Sequence, residues 1–92
     1  MWYLRVVWSH DFAYEPVELF SEIGPDGYER RKVELFRDGR LGWANEENEV
    51  GRTGLGQIPI TSVNEINAQR EFEASTITAA RFNRMWQQAV RH

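Results

Sequence analysis

The stretch LFRDGRLGW, residues 35–43, places two short apolar runs on either side of Asp38-Gly39 and so predicts a β-hairpin. The length of the turn decides which side chains share a face of the sheet, because a shift of one residue turns a whole strand over. A two-residue type I′ turn at Asp38-Gly39 would split the apolar residues between both faces. A three-residue loop that begins at Arg37, with its glycine in the left-handed region, pairs Phe36 with Arg40 and keeps the apolar residues together.

The hydrophobic pattern therefore selects the three-residue loop. One face of the hairpin then carries four large apolar residues, which are Val33, Leu35, Leu41 and Trp43. The second face carries Glu34, Phe36, Arg40, Gly42 and Ala44.

Two more strands precede this hairpin. Apolar residues alternate with other residues over 2–9 and again over 17–23, which is the period of a β-strand. The turn signal GPDG at 24–27 separates the second strand from a third that runs from about residue 29 to 36. The segment REFEAST, which begins at Arg70, can add a short fifth strand.

A helix is predicted at the C-terminal end, with Thr78 as its N-cap. Its apolar residues recur at helical spacing and form one stripe: Phe82, Met85, Trp86, Ala89 and Val90. The predicted fold class is α+β, a four- to five-stranded antiparallel meander sheet with one face packed by this helix. We expect the helix to pack on Trp2, Leu4, Val6, Val33, Leu35, Leu41 and Trp43.

Length and composition indicate one domain over residues 1–92. The chain has no cysteine, so neither a disulfide nor a thiolate metal site is expected, and a reducing cytoplasm suits it. Its net charge is −3, and ten of its eleven basic residues are arginine. This net charge disfavours a general nucleic-acid binder. No segment has the length of a membrane span, and no membrane partner is expected.

Three short motifs resemble catalytic or ligand-binding sites, but each lacks the surrounding residues or secondary structure that such a site requires. Ser9-His10-Asp11 lies at a strand end, where consecutive side chains point to opposite faces, so these residues do not predict a catalytic triad. His10 is the only internal histidine, too few ligands for a metal site. The sequence GRTGLG, residues 51–56, lacks the helix that should follow a phosphate-binding loop. We expect no catalytic residue, no metal and no cofactor, and the protein is predicted not to be an enzyme.

Two surfaces are candidates for partner binding. Residues 44–60 form a long loop whose first part carries the acidic residues Glu46, Glu47 and Glu49. On the predicted sheet face away from the helix, aromatic residues lie among charged ones, a composition typical of interfaces. The residues proposed there are Tyr3, Phe20, Phe36 and Arg40. The alternative is that the long loop folds across this face and buries it.

Four segments together carry a family resemblance that covers nearly the whole chain. They are WYLRVVWSHDFAYEPVELFSEI, GYERRKVELFRDGRLGWA, GLGQIPI and EINAQREFEASTITAARFNRMW. The sequence resembles a small bacterial family known as domain of unknown function 6881. The resemblance implies an acidic pair in the first turn of the last helix, where this chain has Ala79-Ala80-Arg81. Small domains of this kind are similar to immunity proteins that neutralise a toxin.

Two functional classes follow from these observations. The first is a non-catalytic protein-binding module, an immunity-type inhibitor whose partner is a protein such as a basic toxin domain. The second is an RNA or single-stranded nucleic-acid binding domain, with Tyr3, Phe20 and Phe36 as stacking platforms. The net charge favours the first, and the number of arginines favours the second. The sequence does not indicate an oligomeric state.

Overall fold

The computed structural model of the protein describes residues 1–91, which form a six-stranded antiparallel sheet and two helices. The order of the strands across the sheet is β5-β4-β3-β2-β1-β6. The elements are β1 Trp2–Trp8, β2 Glu18–Ile23, β3 Glu29–Leu35, β4 Leu41–Ala44, β5 Glu49–Val50, α1 Val63–Asn67, β6 Phe72–Ile77 and α2 Ala79–Val90. The α+β class is confirmed, with one strand more than the predicted maximum. Within the described residues no helix is long and apolar enough to cross a membrane.

The β3–β4 hairpin has the three-residue loop selected by the hydrophobic pattern. Leu35 pairs with Leu41, and the backbone N–H of Phe36 donates to the carbonyl of Arg40 at 2.9 Å. Gly39 has φ +88°, in the left-handed region that favours glycine. The turn therefore sets the register on which both faces of the sheet depend.

Helix α2 covers one face of the sheet, and its N-cap Thr78 accepts a hydrogen bond from the Arg81 N–H at 3.1 Å. The core on this side contains residues from five strands and from the helix. Its members are Tyr3, Phe20, Val33, Leu41, Trp43, Ile77, Phe82, Met85, Trp86 and Ala89. Of the predicted stripe, only Val90 is exposed, at 42%.

The prediction that α2 packs on Trp2, Leu4 and Val6 of β1 is wrong, because β1 turns its other face to the helix. Arg5 pairs with Phe20, and Phe20 pairs with Val33, so these directly opposed residues share the α2 face together with Tyr3. Trp2, Leu4 and Val6 therefore lie on the opposite face. The alternation in β1 did not reveal this, because Tyr3 and Val7 make its second face apolar as well.

The opposite face is also covered, by α1 and by residues 51–62 between β5 and α1, which we call the covering segment. A second core of Leu4, Val6, Ile23 and Ala74 packs there against residues of both. Polar contacts hold the covering segment in place. Thr53 is 1% exposed and donates to Glu34 at 2.8 Å, and the N–H of Gly56 donates to Glu29 at 2.6 Å. The long loop therefore folds across the sheet face away from α2, but it does not cover Tyr3 and Phe20 as the alternative expected, because these two residues lie on the α2 face.

Candidate functional site

The acidic residues predicted as a partner site lie on a tight hairpin between β4 and β5. We call residues 45–50 the acidic hairpin. The Asn45 side-chain oxygen accepts the backbone N–H groups of Glu47 and Asn48 at 3.0 and 2.7 Å, and the Asn45 N–H donates to the Asn48 carbonyl at 3.0 Å. Asparagine at this position favours such a turn because its side chain can replace a backbone acceptor. The hairpin thus has a defined backbone conformation.

All three carboxylates of the acidic hairpin are exposed to solvent. Glu46 forms an ion pair with Arg30 at 3.2 Å, and Arg30 is shared with Asp26 at 3.0 Å. Within residues 1–91, Glu47 and Glu49 have no basic group at ion-pair distance. The hairpin consequently presents uncompensated negative charge at a fixed place.

The aromatic half of the predicted site does not form an exposed surface. Phe20 is 3% exposed beneath α2, and Phe36 is 6% exposed on the opposite face of the sheet. Tyr3 is half-buried: its ring lies 5.4 Å from that of Phe82, and its hydroxyl donates to Glu22 at 3.2 Å. The interpretation of these three residues as one open aromatic face is therefore wrong.

Arg40 is the exposed member of that predicted set. Its guanidinium lies over the Phe36 ring, 4.4 Å from the centroid, and covers one side of this buried aromatic residue. Arg40 is therefore placed at the β3–β4 turn, at the opposite end of β3 from the acidic hairpin.

Two exposed aromatic residues that the sequence interpretation missed lie in the β1–β2 connection. We call residues 9–16 the aromatic loop. Phe12 is 62% exposed and Tyr14 is 82% exposed. Tyrosine and phenylalanine together with nearby arginine are the residue types enriched at protein interfaces. The signal was present in DFAYEP, where two aromatic residues interrupt an otherwise polar turn.

His10 holds the aromatic loop together. Its Nδ1 accepts the backbone N–H of Phe12 at 2.9 Å, and its Nε2 lies 2.8 Å from the Pro16 carbonyl. This pattern requires a neutral ring that carries its proton on Nε2. The Arg37 guanidinium donates to the His10 carbonyl at 2.7 Å, and the Trp8 ring lies 4.2 Å from the imidazole. Both ring nitrogens of His10 therefore bind loop backbone rather than Ser9 or Asp11.

The glycine-rich motif at 51–56 also has a structural explanation. Its backbone contacts charged side chains of β3: Lys32 lies 3.4 Å from the Gly54 carbonyl, and Glu29 accepts the Gly56 N–H. The motif thus fastens the covering segment to the sheet. In the part of the chain that the structure describes, no group of three or more His, Cys, Asp or Glu residues could hold a metal ion.

Fold and surface together define an α+β domain with an open antiparallel sheet, one long helix packed on it and an exposed acidic hairpin at one end. The family profile described as Domain of unknown function (DUF6881) matches residues 2–91, and the chain belongs to that family. This match confirms the resemblance seen in the sequence. Comparison with curated proteins and with solved structures gives no significant match.

Proposed function

We propose that the protein is a non-catalytic protein-binding module of the immunity type, which neutralises a basic toxin domain by direct binding in the cytoplasm. The observation that carries this proposal is the acidic hairpin, with three exposed carboxylates on a backbone fixed by Asn45. A fixed hairpin loses little conformational freedom when it binds, so its charges cost little to position.

Electrostatic complementarity supports a basic partner. Exposed charges act mainly on the rate of association, which rises when opposite charges face each other and falls as salt screens them. Carboxylates can also occupy positions where a nucleic-acid-processing enzyme binds phosphates. An inhibitor of this kind would block the active site of its partner without chemistry of its own.

A nucleic-acid ligand has less support as the main partner. Phe20 and Phe36, two of the three stacking platforms on which that alternative depends, are buried. The net charge of −3 also opposes binding to a polyanion. We therefore propose a protein partner.

The test begins with capture of partners from the native host by the tagged full chain. Association rates of a captured protein are then measured at several salt concentrations with three chains: the parent, the hairpin variant E47K/E49K and the control variant E71K/E73K. Glu71 and Glu73 are exposed and stand two residues apart, as Glu47 and Glu49 do, so both variants change net charge equally.

We expect E47K/E49K to associate at least about tenfold more slowly at low salt, since steering charges change such rates by this order. E71K/E73K should associate like the parent, and all three chains should unfold at similar temperatures. Equal rates for the two variants would show that the hairpin is not the binding site. A third variant, F12S/Y14S, then tests the aromatic loop as the alternative surface.

A further inference from the structure

A second potential site lies at the other end of the molecule, in a cleft between α2 and the sheet beside the β3–β4 turn. The cleft has a volume of about 610 Å³, within the range of small-molecule sites. Its polar lining comes from Arg5, Glu18, Arg81, Arg84 and Gln88, and its apolar lining includes Leu41 and Met85. We call it the arginine cleft.

The arginine cleft is positively charged although the whole chain is negative. Arg5 pairs with Glu18 at 2.9 Å, so these two charges cancel. Arg81 and Arg84 have no carboxylate at ion-pair distance among the first 91 residues. The cleft therefore has a net charge of about +2 by this count of Arg81 and Arg84, since the paired charges largely cancel at close range.

Arg5 has hydrogen-bonding capacity that the protein does not use. Its Nε–H is buried and has no acceptor in the described part of the chain, although its terminal nitrogen reaches Glu18. Buried donors of this kind are uncommon in folded proteins and call for an explanation. Arg5 also lines the arginine cleft, so this unused donor belongs to a residue at the proposed anion site.

The helix itself adds to the positive potential. Arg81, Arg84 and Gln88 are spaced at i, i+3 and i+7, so they follow one side of α2. The first turn contains no acidic residue, so the positive end of the helix dipole is not offset there. Two arginines at i and i+3 also repel each other, an unfavourable arrangement that a bound anion would relieve.

We propose that the arginine cleft binds a small phosphorylated molecule of nucleotide size. The phosphate groups are held by Arg81 and Arg84, because a guanidinium donates two parallel hydrogen bonds to phosphate. The apolar part of the ligand lies against Leu41 and Met85. This site is independent of the acidic hairpin, so it stands or fails separately from the proposed protein-binding function.

The experiment is a titration of the full chain with ADP, monitored by calorimetry and by NMR. The NMR signals observed are those of the backbone amides, the arginine Nε–H groups and the Gln88 side-chain amide. We expect saturable one-to-one binding, with the largest shifts at Arg81, Arg84 and Gln88. The variant R81Q/R84Q should bind at least tenfold more weakly. The control R70Q/R91Q removes the same charge from two exposed arginines outside the cleft and should bind like the parent.

Two further probes separate the possible sources of the phosphate. Inorganic phosphate should bind more weakly than ADP, because it makes no contact with Leu41 and Met85. Equal affinity for both would overturn the nucleotide-size assignment. Binding of oligothymidylate without binding of ADP would make the cleft a nucleic-acid surface, and equal losses in R81Q/R84Q and R70Q/R91Q would show non-specific attraction. The proposal is overturned by oligothymidylate binding without ADP binding, by equal losses in the two arginine variants, or by the absence of saturable binding at millimolar ADP.

Discussion

At the scale of single residues, Arg31 connects the sheet to α2. Its Nε and terminal nitrogen donate to the two carboxylate oxygens of Glu22 at 2.9 and 2.7 Å, and the same terminal nitrogen reaches Asn83 at 2.9 Å. The guanidinium also lies near the faces of Phe82 and Trp86, 4.9 and 5.1 Å from the ring centroids. A planar fork can make all these contacts at once, whereas an ammonium group cannot.

Arg31→Lys should therefore lower the free energy of unfolding by about 1.5 to 3 kcal/mol, the range for hydrogen bonds to charged groups. The measurement is urea denaturation at neutral pH. Arg30→Lys is the matched control, since Arg30 pairs with the more exposed Asp26 and Glu46 and should change stability little. Similar losses for both variants would mean that the fork geometry of Arg31 has no special role.

Glu22 should make stability depend on acid pH. The hydrogen bonds from Arg31 hold the pKa of the Glu22 carboxyl below its ordinary value of 4.5, although burial acts in the opposite direction. A lowered folded-state pKa means that Glu22 stabilises the fold above pH 4.5, and that this contribution is lost as pH falls through the lower pKa. Glu22→Gln should be less stable than the parent at neutral pH, and the difference should shrink on acidification.

Glu34 should have the opposite effect on the pH dependence of stability, measured by the same urea denaturation over a range of pH. Burial raises the pKa of the Glu34 carboxyl, and the hydrogen bond from Thr53 opposes this only in part. The folded state therefore holds the Glu34 proton more tightly, and stability is lost as pH rises through that raised pKa. Glu34→Gln should gain stability relative to the parent as pH rises, the reverse of Glu22→Gln. Parallel pH profiles for the two variants would contradict both assignments.

At the scale of elements, the β3–β4 hairpin and α2 could be predicted because each has a clear period and a turn or cap signal. The side of β1 that faces the helix could not, because Tyr3 and Val7 make both of its faces apolar. The covering segment is held by Thr53 and Gly56 through hydrogen bonds to distant strands, and such contacts leave no periodic pattern.

The candidate site could be predicted only in part from the sequence. Exposure of Glu46, Glu47 and Glu49 followed from their charge, since a run of carboxylates is seldom buried. The placement of Phe20 depended on the register between β2 and β3, in which Phe20 pairs with Val33, and the hydrophobic pattern did not determine this register. The exposed aromatic loop was missed because turn residues are expected to be polar, and the role of His10 depends on three-dimensional contacts.

The packing of α2 leads to a prediction about Trp86. Its ring lies nearly perpendicular to that of Trp43, at a centroid distance of 5.3 Å, and is stacked with that of Phe82 at 6.4 Å. Trp86→Ala should cost about 3 kcal/mol, the lower end for large aromatic residues, because the side chain is only partly buried. The exposed Val90 is the control, and Val90→Ala should change the denaturation midpoint little. An unchanged midpoint for Trp86→Ala would exclude Trp86 from the core.

The outer edge of β6 is blocked by a side chain of α1. Asn67 accepts the backbone N–H of Ala74 at 2.6 Å and donates to the Ala74 carbonyl at 3.0 Å. The amide thus takes the place of a neighbouring strand at the middle of β6. Unpaired strand edges are prone to pair with other chains, and natural proteins often cover them.

Asn67→Leu should expose this edge and promote self-association. Sedimentation velocity over a range of concentrations should give a larger average mass for this variant than for the parent. Asn64→Leu places the same apolar side chain at another exposed position of α1 and should match the parent. If both variants associate equally, added hydrophobicity rather than the open edge is the cause.

At the scale of the whole molecule, charge is divided between the two ends of the sheet. The acidic hairpin and Arg30 lie at the end where β3 begins, and the arginine cleft lies at the end where β3 turns into β4. The long dimension of the molecule is only 31 Å, so a partner of ordinary size would experience both ends. An uneven field of this kind orients a charged partner before contact.

Neutralisation in living cells tests the central proposal most directly. A captured basic partner is produced in host cells together with the parent chain, E47K/E49K or E71K/E73K, and growth rates are measured. We predict that the partner alone stops growth, that the parent and E71K/E73K restore it, and that E47K/E49K does not. Growth restored equally by E47K/E49K, or a partner that does not slow growth at all, would contradict an immunity function that acts through the acidic hairpin.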